Sequence, residues 1–93
     1  MKVSNEEIEL MGHALGINVY HAKKSKLKKD KKLPKEYYRN YFQVDGGDNY
    51  ESFKHFETLG LVTHRLQFGQ SVFHLTELGI EFFEGEFNRI VNE

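Results

Sequence analysis

Residues Tyr50 to Phe83 constrain this chain more than any other stretch: NYESFKHFETLGLVTHRLQFGQSVFHLTELGIEFF from Asn49 onward. Tyr50, Phe53, Phe56 and Leu59 recur every three residues, which marks one buried side of a helix. Asp48 stands ready to cap that helix, with Glu51 three residues on, and Gly60 ends it. Leu61–Phe68 and Ser71–Leu75 are rich in strand formers and are joined through Gly69-Gln70, a hairpin signal. Thr76 then opens another helix, in which Ile80, Phe83, Phe87 and Ile90 fall on one stripe widened by Phe82 and Val91.

The N-terminal part predicts two more helices. Ser4-Asn5-Glu6-Glu7 is a capping box. Ile8, Met11, Ala14 and Leu15 give the buried face of a helix over about Asn5–Leu15, with Gly16 as its stop. Pro34 suits a first helical position. Tyr37, Tyr38, Tyr41 and Phe42 follow at helical spacing, so a second helix is expected over about Pro34–Phe42. Their spacing favours core packing over stacking on exposed bases. Asp45-Gly46-Gly47 is a turn.

Between these helices lies the strongest charge feature. Residues 21–36 hold eight Lys against Asp30 and Glu36, a balance of +6, while the rest has five basic residues against twelve acids, a balance of −7. The net charge of −1 hides this asymmetry. A block so polarised attracts anions. The alternative is a solvated loop at about 21–35 without a specific role, since such a run cannot order itself by burying apolar surface.

The 93 residues suit one domain. Eight Phe and five Tyr supply the core of a small fold. The absence of Cys excludes disulfides and thiolate metal sites, and suits a reducing cytoplasmic setting. No apolar run approaches a membrane span, and the acidic start MKVSNEEIEL does not read as a signal peptide. His13, His21, His55, His64 and His74 form no close ligand pair, and no nucleophile–base frame or phosphate loop stands out. An enzyme, a metal or another cofactor is therefore not expected.

Helix, helix, turn, helix, hairpin, helix is the order of a winged helix-turn-helix, an α+β fold with about four helices and a β-hairpin wing. LGLVTHR at 59–65 and VFHLTELG at 72–79 resemble the recognition-helix exit, wing and last-helix entry of bacterial regulators of the MarR and PadR type. HALGI at 13–17, YRNYF at 38–42, the DGGD turn, ETLGLV at 57–62 and VFHLTELG are similar to a group of small phage and prophage proteins. This chain departs from that group in its lysine insertion between Ile17 and Tyr37. The first resemblance implies duplex DNA binding. The second implies phage origin without assigning an activity.

On that reading the helix over Asp48–Leu59 faces a groove with Asn49, Ser52, Lys54 and His55. Arg65 lies on the wing, and Lys23, Lys24, Lys26, Lys28, Lys29, Lys31 and Lys32, with Arg39, contact phosphates. Glu51 and Glu57 are unfavourable beside a polyanion. The stripe Ile80, Phe83, Phe87, Ile90 suits a partner helix in a homodimer; alternatively it closes the chain's own core. The leading expectation is a phage-type DNA-binding regulator or accessory factor. The rival is a protein-interaction module on the same fold that binds or inhibits a host or phage protein. A virion or tail-assembly component is a third reading.

Overall fold

The computed structural model describes residues 2–93. Its elements are α1 (Asn5–Leu15), α2 (Val19–Lys24), a 3₁₀ turn (Lys28–Lys31), β1 (Phe42–Gln43), α3 (Gly47–Thr58), β2 (Val62–Gln67), β3 (Gln70–Leu75) and α4 (Glu77–Val91). The fold is α+β, with four α-helices and a three-stranded antiparallel sheet in the order β1-β3-β2.

Local chemistry sets the helix ends. Ser4 Oγ accepts from the Glu7 amide while Glu7 accepts from the Ser4 amide, so the capping box on α1 is complete. Gly16 ends α1 in the left-handed region at φ 78°, with the Tyr38 ring lying against its Cα, where a Cβ would clash. Thr76 caps α4 by accepting from the Gly79 amide, and its hydroxyl donates to Gly60 O. At Gly79 a Cβ would overlap Leu61 O, so α4 docks on the hairpin base at a distance only glycine allows. The α3 start differs from expectation: Gly46 is the cap residue, no side chain bonds the first amides, and Asp48 sits inside the first turn.

The core is one cluster in which Phe53, Phe56, Phe73, Phe83 and Phe87 are buried with Ile8, Met11, Leu15 and Leu61. Phe53 stacks on Phe42 at 4.7 Å and on Phe73 at 5.1 Å between ring centres, which ties β1, α3 and β3 together. Such pairs add about 1 kcal/mol each beyond their area. Tyr50 and Leu59, expected inward, are only partly buried at its edge.

The helix expected over Pro34–Phe42 does not form; the segment is irregular and leads into β1. Asn40 Nδ2 donates to Leu75 O at 2.9 Å and Asn40 Oδ1 accepts from Leu75 N at 2.8 Å, so its amide extends the pairing along β3. The Tyr41 amide donates to Ala14 O. Tyr37 reaches α4, donating to Glu84 Oε2 at 2.6 Å. Tyr and Asn have modest helix propensity, and so short a helix is marginal alone. Tertiary partners for the backbone therefore outweigh the helical spacing. Tyr38 is 80% exposed and Tyr41 is also exposed, so neither joins the core as expected.

The lysine region, expected to be loop throughout, begins in a helix. Asn18 Oδ1 accepts from the His21 amide, and Val19 and Ala22 turn inward to form α2. The hairpin follows expectation except at its turn. Gln67 pairs with Gln70, so the loop is Phe68-Gly69, not Gly69-Gln70. Both loop residues have positive φ, 52° and 78°, the pattern of a type I′ turn. A left-handed conformation costs a residue with a Cβ about 1–2 kcal/mol.

Candidate nucleic-acid interface

The lysine end is built on α2 and the 3₁₀ turn. Ser25 Oγ donates to Asp30 Oδ2 at 2.6 Å and accepts from the Leu27 amide, and His21 Nε2 lies 3.7 Å from the same carboxylate oxygen. Lys31 Nζ donates to Ala22 O and Lys23 O, each at 3.0 Å, and to Val91 O at 3.4 Å. Those carbonyls end α2 and α4, where unpaired C=O groups carry partial negative charge. Lys31 is thus a structural cation that joins two helix ends, not a free phosphate ligand.

The remaining lysines of this end differ in their partners. Lys23 Nζ lies 3.7 Å from Glu93 Oε2. Lys24 Nζ lies over the Tyr20 ring, 5.0 Å from its centre. Lys26, Lys28, Lys29, Lys32 and Lys35 are exposed and have no carboxylate within ion-pair distance among the described residues. Lys26 and Lys28 flank the exposed Leu27 in sequence.

Arg39 also has an internal task. Its guanidinium donates to His13 O at the end of α1 and lies between the Tyr38 and Tyr41 rings, 5.9 and 5.8 Å from their centres, while Nε is buried without a partner. This arrangement brings HALGI and YRNYF together: Arg39 holds the first segment, Asn40 holds β3, and Phe42 meets the His13 ring.

α3 offers little to a polyanion. Asn49 and Ser52 rim a groove shared with α1, whose other walls include Glu6, Glu9 and Asp48 over a floor of Leu10 and Phe42. Glu51 and His55 are exposed on the same helix. Lys54 Nζ donates to Glu57 Oε1 at 2.7 Å, and that bond holds the ammonium pKa above its usual range. Its charge is therefore largely matched within α3.

Arg65 is exposed on β2, opposite Val72 in the hairpin register. His64 is turned the other way, stacked on Phe73 at 4.6 Å. The hairpin also holds two features that the sequence does not announce. Phe68 at the tip is fully exposed, and Leu66 is 73% exposed. The apolar–apolar spacing LQF signals neither, because the same pattern suits a covered strand.

The predicted residues therefore do not form one continuous surface. The 3₁₀ turn meets the C-terminal end of α4 through Lys31, and the hairpin base meets its N-terminal end at Gly79. α4 has 15 residues, about 22 Å of helix. Between Lys23–Lys24 and Asn49–Ser52 runs the acidic side of α1, since Glu6 and Glu9 line the grooves on both flanks. The last-helix stripe is likewise not available to a partner: Phe83, Phe87 and Ile90 are 0%, 1% and 3% exposed in this chain's own core, and Ile80 packs beside them.

No protein-family model, curated protein or solved structure matches this chain. Among the described residues, no helix is long and apolar enough to cross a membrane, and no group of three His, Asp or Glu is placed to hold a metal.

Proposed function

We propose that this chain is a nucleic-acid-binding protein of winged-helix-like layout, a phage-type regulator or accessory factor, that holds duplex DNA chiefly through its lysine end. The observation that carries this reading is the cluster Lys26, Lys28, Lys29, Lys32 and Lys35. Among the described residues these five are exposed and free of ion pairs; Lys28 and Lys29 lie on a turn anchored by Lys31 and by Asp30–Ser25, Lys26 and Lys32 flank it, and Lys35 follows it. Cations fixed on a folded turn meet phosphates with less ordering cost than cations on a free loop. The sheet order β1-β3-β2 and the hairpin running into α4 are compatible with the winged layout. α3 is a minor contributor in this account, because Asp48 and Glu51 flank Asn49 and Ser52.

The test changes Lys26, Lys28, Lys29 and Lys32 to Ser and leaves Lys31 in place. The parent binds a random-sequence duplex with a steep salt dependence. Removing one phosphate-bound cation lowers the slope of log K against log salt by about 0.9, so the variant's slope falls by roughly 3 to 4. An unchanged slope removes the lysine end from the interface.

A second reading, a protein-interaction module, is favoured by the groove of Glu6, Glu9 and Asp48 between α1 and α3. A basic partner segment fits that charge. A pull-down that depends on Glu9 and Asp48, with no salt-sensitive DNA affinity, would replace the first reading with this one.

A further inference from the structure

The hairpin tip is the least explained part of the molecule. A type I′ turn takes Asn-Gly without strain, because both central residues need positive φ. This chain places Phe68 there at φ 52° and leaves its ring in solvent. Leu66, two residues back, is exposed as well. Phe68 meets no part of the described fold that compensates for either the backbone conformation or the exposed ring. An observed outlier of this kind points to function.

Charge limits what the tip can meet. From Val62 to Leu75 there is no Asp or Glu, and Arg65 is exposed on β2, whereas the residues outside 21–36 carry a balance of −7. A narrow hairpin with an exposed Arg65 and a bare aromatic ring at its end, and with its one bound carboxylate, Asp45, occupied by the Ser71 amide at 2.7 Å, suits a polyanion that contains apolar layers. Stacked bases behind phosphates are such a target. The lysine end packs on the C-terminal end of α4, whereas the hairpin base packs on its N-terminal end.

We propose that Phe68, supported by Leu66, is an apolar wedge that enters the minor groove of duplex DNA and partly unstacks one base step, with Arg65 meeting the adjacent backbone. This inference rests on the nucleic-acid reading above and adds a second point of attachment to it. Side chains of this type kink DNA by opening a step from the minor-groove side. Pyrimidine–purine steps open most easily, so a TA step is the preferred site.

The experiment uses the full chain, a short duplex with 2-aminopurine at a central TA step, and end labels that report bending. The decisive variant is Phe68→Asn. It removes the ring and supplies the residue that the turn prefers, so misfolding does not explain a loss. The parent raises the 2-aminopurine signal and brings the duplex ends closer. Phe68→Asn keeps the parent's salt slope, binds about tenfold more weakly, and does neither. Phe68→Trp restores both signals.

If Phe68→Asn matches the parent in signal, bending and affinity, the wedge is wrong while the lysine-end reading stands. If the parent itself does not bind at low salt, both fall. If the parent binds DNA without unstacking and Phe68→Asn instead loses a co-purifying protein, the tip is a protein contact and the wedge is overturned.

Discussion

Asn40 ties the unusual backbone path over residues 34–42 to β3. Its amide both donates to and accepts from Leu75, within the segment whose spacing predicts a helix. Removing one side of two partly buried bonds costs about 2 kcal/mol. Asn40→Ala is therefore expected to lower the urea midpoint clearly, whereas Asn49→Ala, at an exposed site, leaves it in place. Phe68→Asn moves stability the other way, by roughly +1 kcal/mol from relief of the left-handed φ, measured as a higher thermal midpoint.

Tyr37 supplies a pH test at the same scale. Burial, and then its bond to and the charge of Glu84, raise its phenol pKa well above the ordinary 10.0. The unfolded chain ionises near pH 10 and the folded chain resists. The stabilisation is thus complete below pH 10 and declines as pH rises above it. The stability difference between parent and Tyr37→Phe should be flat from about pH 7 to 9 and shrink above about pH 10. A constant difference through that range would contradict the assigned bond.

At the scale of elements, Lys31 separates structural from exposed charge. Its ammonium serves the ends of α2 and α4 together. A cation in such a partly buried position contributes up to about 2 kcal/mol. Lys31→Met is expected to lower stability by roughly 1 to 2 kcal/mol, and Lys32→Met by almost nothing, in paired denaturant curves.

The same residues explain what can be read from sequence. α1, the hairpin and α4 are legible because their determinants are local: a capping box, a glycine stop, a Thr cap and one apolar stripe. The segment 34–42 is not, since Asn40 finds its partner 35 residues away in Leu75, and no local period encodes that. α2 carries a faint signal in Asn18 with Val19 and Ala22, hidden by the lysines that follow. The candidate site is legible as a set of cations but not as a surface. Sequence cannot tell Lys31, Arg39 and Lys54, which have internal partners, from Lys26, Lys28, Lys29 and Lys32, which stand in solvent.

For the whole molecule, polarity is the organising property. A lysine end and an uncovered hairpin tip are joined by α4, with an acidic α1 flank beside them. The long dimension of 41 Å spans about one turn of duplex, roughly 34–36 Å. On the proposed reading the electrostatics of binding are separable, with the salt dependence assigned to the lysine end and the deformation to the tip.

The most direct test is therefore the affinity of the full chain for a random-sequence duplex from roughly 50 to 300 mM salt. Tight binding is expected at low salt, weakening with a log–log slope of about −4 or steeper, with the slope lowered in proportion when Lys26, Lys28, Lys29 and Lys32 are changed to Ser. Absence of binding at about 50 mM, or an affinity indifferent to salt and to those four lysines, would contradict the nucleic-acid reading.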